Sequence, residues 1–180
     1  MYLFNIEIKA RSNNIDFIRR TLCNLNAEFR GKDHQVDTYF VVKKGRLKIR
    51  EGDIERCLVY YEREDKAIPK ESEVFLYTMD STKELKDILL QLFDVMVIVD
   101  KVREIYYISN VKFHLDSLVS LGNFVEIEVI NDGENRDSTN MTKQCRYYME
   151  KLKITDNDLI NVSYSDMLLV GHHRKANETQ

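Results

Sequence analysis

The sequence predicts an α+β domain whose eight β-strands close into a barrel with helices packed on the outside. Three observations carry that prediction. Eight segments alternate in polarity with period two, three others repeat apolar residues in steps of three and four, and the alternating segments gather charges on one face with apolar residues on the other.

The first strand covers residues 3–10, where Asn5, Glu7 and Lys9 share a face. Asn14 then precedes Ile15, Ile18, Leu22 and Leu25, a spacing that predicts a helix capped by an Asn or Asp side chain. Strands follow at 35–42, 45–51, 56–64 and 72–77. Ser81 and Thr82 introduce a second helix over 83–93. Strands at 96–107, 111–115 and 124–130 complete a set large enough to close a barrel. A third helix occupies 140–152, and 156–160 add a short turn. The order β-α-ββββ-α-βββ-α keeps helices outside a sheet rather than between parallel strands.

The bulk properties set the frame for function. A chain of 180 residues buries one core, and with one proline, six glycines and no linker-like stretch it reads as a single domain over 1–171 with a polar tail, 172–180. His172 and His173 belong to that tail and read as solvated rather than ligating. A net charge of -3 excludes a general nucleic-acid or anionic-membrane binder, so any anion site is a local concentration of positive charge. Cys23, Cys57 and Cys145 show neither disulfide nor zinc spacing, and the N-terminus acquires charge by Glu7, which excludes a signal peptide or a membrane span there. A reduced, cytoplasmic protein is the expectation. Cys23 and Cys145 both fall on apolar helix faces and read as buried.

The charged rows carry the chemistry. Arg46, Lys48 and Arg50 share a face while Leu47 and Ile49 take the other; Tyr61 pairs with Arg63, Lys101 with Arg103, and Glu126 with Glu128, with Val125, Ile127 and Val129 opposite. A solvated outer face explains any one row. Basic rows in three regions and acidic rows in two, with apolar rows turned outward against helices, instead describe a polar lumen. Such a collection of Lys and Arg is costly at low dielectric unless a polyanion or water occupies it. A triphosphate meets that demand, and Mg²⁺ or Mn²⁺ would join the carboxylates to phosphate oxygens. Because these positions face a ligand, charge reversal at Arg46 or Lys48 is expected to weaken binding and leave the fold intact. No Gly-rich phosphate loop is present, and neither His34 nor His114 lies in a nucleophile motif.

With these residues in order, the chain resembles the CYTH domain, the triphosphate tunnel metalloenzymes. The matching stretches are Asn5-Ile6-Glu7-Ile8-Lys9, DTYF (37–40), GRLKIRE (45–51), YYERED (60–65), DKVREIY (100–106), HLD (114–116), LGNFVEIEV (121–129) and SYSDML (163–168). Asn5 departs from the family pattern, which has Glu there. The resemblance implies an eight-stranded antiparallel tunnel. It implies Glu7, Glu126 and Glu128 as metal ligands, with Asp116 at or near the metal. It implies Lys9, Arg46, Lys48, Arg63, Lys101 and Arg103 as the phosphate-binding residues on which catalysis depends, with Arg50 a further candidate on its strand face. The pattern is most similar to the class IV adenylate cyclase branch, which converts ATP to cyclic AMP and pyrophosphate. Other branches hydrolyse thiamine triphosphate or inorganic triphosphate, and a protein that binds nucleotide or polyphosphate without turnover is a third reading. For the cyclase, Tyr39, Phe40, Tyr61 and Phe113 are candidates to stack on a base, although packing is the more ordinary use of such residues. A homodimer is compatible with the resemblance.

Overall fold

The computed structural model describes residues 2–63, 69–131 and 137–177. Strands β1 (Tyr2–Arg11), β2 (Glu28–Phe40), β3 (Arg46–Gly52), β4 (Cys57–Arg63), β5 (Lys70–Thr78), β6 (Val95–Ile108), β7 (Val111–Leu118) and β8 (Gly122–Asn131) close into an antiparallel barrel in the order β1-β5-β4-β3-β2-β6-β7-β8. Helices α1 (Ile15–Asn24), α2 (Lys83–Leu92), α3 (Ser138–Lys151) and α4 (Tyr164–Asn177) accompany them, with a 3₁₀ turn over Asp156–Asp158.

The alternation sets the layers. Ile6, Ile8 and Ala10 of β1, Phe113 and Leu115 of β7, and Val125, Ile127 and Val129 of β8 point outward and pack against Ile18 and Leu22 of α1 and Met141, Cys145 and Met149 of α3. Phe40 and Ile49 meet Leu89 of α2 in a second cluster. A one-residue slip in any of these strands would turn its charged row into this apolar layer, so burial of the outer face fixes which side chains line the lumen. Asn14 caps α1 as expected, its Oδ1 accepting from the Phe17 amide at 3.1 Å.

Three features differ from the sequence expectation. Strand β2 begins at Glu28, seven residues before the alternation becomes visible, because the long strand β6 pairs with it throughout and Gly31, at φ 133°, absorbs the bulge between Phe29 and Gly31. Helix α4 was not expected. It starts with a reciprocal cap in which the Ser163 amide donates to Asp166 Oδ2 and the Asp166 amide donates to Ser163 Oγ, and it extends into the stretch expected as a polar tail. Cys23 is exposed, whereas Cys145 is buried as expected. Among the described residues, no helix is long and apolar enough to cross a membrane. The side chains of Arg63, His172 and His173 lie outside the described residues; the backbone of Arg63 pairs with Ser72.

Candidate active site in the barrel lumen

The inward rows enclose a cavity of about 580 Å³, within the usual range for small-molecule sites. Asn5, Glu7 and Lys9 of β1, Lys48 and Arg50 of β3, Lys101 and Arg103 of β6, Lys112 and His114 of β7, and Glu126 and Glu128 of β8 all line it. The wall on the β4–β5 side is different in kind: Cys57, Val59, Val74 and Leu76 make it apolar. One side of the cavity is therefore ionic and the other greasy.

The cations are not left facing one another. Asp37, 1% exposed, accepts from Lys48 Nζ at 2.8 Å, Lys101 Nζ at 2.8 Å and Arg50 Nε at 2.8 Å. Burial alone would raise the Asp37 carboxyl, but Arg50, Lys101 and Lys48 together hold it well below the usual carboxylate range. Each cation, in turn, shares that one anion with two like charges. Burial pushes Lys101 down to about 7 in spite of Asp37, with Arg50, Arg103 and Lys48 adding to the shift.

A second network centres on Glu126. Lys9 Nζ approaches its Oε1 at 2.5 Å and lies 3.6 Å from the centroid of the Tyr164 ring. Arg103 Nη2 donates to Glu126 Oε2 at 2.6 Å, while the same guanidinium grips Asp116 through Nε at 2.6 Å. Glu55, from the turn between β3 and β4, completes a third set: its Oε2 accepts from Arg50 Nη1 at 2.8 Å and its Oε1 from Lys112 Nζ at 2.5 Å. Among the described residues the lumen cations are thus paired within the lumen itself: Glu126 belongs to the expected acidic row, whereas Asp37 and Glu55 are counter-charges outside the expected site.

A cluster suited to a cation lies beside these networks. Ligand atoms of His114, Glu126 and Glu128 fall within 4.8 Å of one another. His114 Nδ1 is 3.1 Å from Glu126 Oε2 and 3.5 Å from Glu128 Oε1. Burial, with Arg103 and Lys112 nearby, pushes His114 down to about 3, so the ring is neutral and available as a ligand. Burial pushes the Glu128 carboxyl up to about 7; Lys112 opposes the shift, and Glu126 and Glu7 add to it. Repulsion among these carboxylates is what a divalent cation relieves. Asn5 Oδ1, buried and lining the same cavity, has no hydrogen-bond partner and adds a neutral oxygen where the family pattern has a carboxylate.

Several expected site residues sit elsewhere. Asp116 is fully buried but does not line the cavity; its oxygens are taken by Arg103 and by the Tyr164 hydroxyl, which donates to Oδ2 at 2.8 Å. It bears on the cluster through Arg103, which it shares with Glu126, and through Tyr164, which lies against Lys9. Arg46 lines a neighbouring cavity of about 250 Å³ instead, where Nη2 donates to Asp166 Oδ1 at 2.9 Å; Tyr61 and Ser163 border both cavities. Of the aromatic candidates, Tyr39 and Tyr61 line the lumen, while Phe40 and Phe113 point outward into the helix-facing clusters.

A closed antiparallel barrel with a compensated ionic lumen, an acidic ligand cluster and a cavity of ligand size defines the class of triphosphate tunnel proteins. The chain belongs to the CYTH domain family, whose model matches residues 3–164. It is similar in structure to the PH1012 protein from Pyrococcus horikoshii (26% identity, TM-score 0.78, covering 90% of this chain and 98% of that one). A candidate adenylate cyclase from Vibrio parahaemolyticus shares the fold at 17% identity and TM-score 0.77 (92% and 97% covered). So does a candidate adenylyl cyclase from Hippeastrum, described as having a dominant triphosphatase activity, at 12% identity and TM-score 0.63 (94% and 96% covered). Among curated proteins, no sequence match is found.

Proposed function

We propose that this protein is a metal-dependent enzyme acting on a nucleoside triphosphate, converting ATP to cyclic AMP and pyrophosphate. The observation that carries the reading is the two-sided cavity. A polyphosphate finds Lys9, Lys48, Arg50, Lys101 and Arg103 on the ionic side, whereas Val59, Val74, Leu76 and Tyr61 offer an apolar wall that an inorganic ligand has no use for. His114, Glu126 and Glu128, with Glu7 and the Asn5 amide oxygen, would hold Mg²⁺ or Mn²⁺. Bound there, the ion supplies a Lewis acid for phosphate oxygens. The chain's own part is preorganisation: Asp37 fixes three cations in place before substrate arrives, and Asp116 fixes Arg103, so little rearrangement is needed as charge develops on the phosphates. The barrel strands exclude bulk water from that charge.

Hydrolysis is the second reading, favoured by the dominant triphosphatase activity of the Hippeastrum protein with the same fold. One product analysis separates the two. Purified protein with Mn²⁺ or Mg²⁺ and ATP yields cyclic AMP and pyrophosphate if the reading is right; orthophosphate as the major product, with inorganic triphosphate or thiamine triphosphate turned over faster than ATP, selects the hydrolase.

A further inference from the structure

The turn between β3 and β4 places a carboxylate where no strand supplies one. Arg50 of β3, Gln35 of β2 and Lys112 of β7 converge on Glu55: Arg50 Nη1 and Gln35 Nε2 donate to Oε2 at 2.8 and 3.0 Å, and Lys112 Nζ donates to Oε1 at 2.5 Å. Gln35 is fully buried and Arg50 is 8% exposed. Donors from three strands meet at this one anionic group, Gln35 Nε2 donating also to Asp33 Oδ2 at 2.7 Å, and such convergence suits a phosphate. Lys112, opposite Glu128 in the β7–β8 register, lies outside the cations singled out above for the polyphosphate.

The backbone that carries Glu55 is pinned separately from its side chain, which is held only through its carboxylate. Asp33, fully buried, accepts from the Ile54 amide at 2.9 Å and the Glu55 amide at 3.0 Å. A Cβ on Gly52 would stand 2.8 Å from both Asp33 carboxylate oxygens, so this close approach depends on glycine. The Glu55 carboxylate itself faces the cavity and retains 22% of its side-chain exposure. Rotation about its side-chain bonds can withdraw it without moving the turn. By contrast, Asp37 and Asp116 have nowhere to go.

We propose that Arg50, Gln35 and Lys112 form a phosphate subsite masked by Glu55, and that only a polyphosphate chain long enough to reach past Lys48 and Lys101, the other two cations on Asp37, displaces this carboxylate. Glu55 is then a specificity-determining residue: it disfavours ligands that cannot repay the loss of its contacts. The inference rests on the triphosphate reading above.

The test is calorimetric titration of tripolyphosphate and pyrophosphate, each as its Mg²⁺ complex, into the wild-type protein and Glu55→Ala. Removing the competing anion is expected to tighten tripolyphosphate by at least about tenfold, or 1.4 kcal/mol, and to change pyrophosphate by less than about twofold. Lys112→Met gives the complementary result, an equivalent loss for tripolyphosphate alone. Unchanged tripolyphosphate affinity in Glu55→Ala, or an equal gain for both chain lengths, overturns the masked subsite while leaving the triphosphate reading in place. Failure of every one of these proteins to bind either polyphosphate overturns both.

Discussion

Replacing Asp37 with Asn isolates the part played by internal compensation. Asp37 is the common acceptor of Lys48, Arg50 and Lys101, and its side chain is essentially sealed from water. The amide keeps the shape and loses the charge. Lys48, Arg50 and Lys101 then face one another with, among the described residues, only Glu55 still on Arg50. Removing one partner from a buried ion pair costs about 3–5 kcal/mol, because an uncompensated charge remains. For a chain of this length, each kcal/mol moves the melting midpoint by about 2–4 °C, so Asp37→Asn is expected to melt roughly 6–20 °C below wild type. Differential scanning calorimetry measures it. The same experiment with tripolyphosphate added supplies the second half: the ligand restores the missing anion, so its stabilisation of the variant exceeds its stabilisation of wild type at equal concentration. A variant that melts with wild type, or gains no more than wild type from tripolyphosphate, would refute the assignment of Asp37 as the lumen's fixed counter-ion.

Three further outcomes are expected. Because the Glu128 carboxyl is held at about 7, above its ordinary value, the folded state keeps this proton longer than the unfolded chain does. Its contribution to stability is present at acid pH and is lost as pH rises through about 7; below that value a metal must displace the proton. Mn²⁺ affinity should therefore fall by up to about tenfold per pH unit below neutrality, and Glu128→Gln should flatten the dependence in equilibrium titrations. Lys48→Glu, which the sequence alone expects to leave the fold intact, should instead lower stability by roughly 3 kcal/mol in urea denaturation, since it sets an anion against Asp37. Arg46→Ala, at the more exposed Asp166 pair, should cost no more than about 1 kcal/mol.

How much of this was legible in the sequence follows from what periodicity can encode. Alternation identified all eight strands and the inward rows of β1, β3, β6 and β8, because burying Ile6, Ile49 or Ile127 against helices forces Glu7, Lys48 and Glu126 inward. The same parity separates Tyr39, inside, from Phe40, outside. The counter-charges were less visible. Asp37 sits in a recognisable motif, but nothing in one dimension says that three cations from two other strands converge on it. Glu55 lies in a turn, which has no period and hence no predictable face. Helix α4 was missed because its apolar residues do not form a single stripe; the Ser163-x-x-Asp166 capping box was the available signal. The early start of β2 has none, since the stretch from Glu28 to His34 is polar and is drawn into the sheet by its partner β6.

The pairing of charge among the described lumen residues bears on how a ligand arrives. A strongly positive tunnel would attract a bare polyphosphate over a distance and would respond steeply to ionic strength. Here Lys48, Arg50, Lys101 and Arg103 are each spoken for within about one hydrogen-bond length by Asp37, Glu55, Asp116 or Glu126, and the chain as a whole carries -3. Little field is left to project beyond the mouth. If the ligand is the proposed triphosphate, its entry is favoured once it is already neutralised by a divalent cation, and it meets these residues by local exchange of partners rather than by long-range attraction.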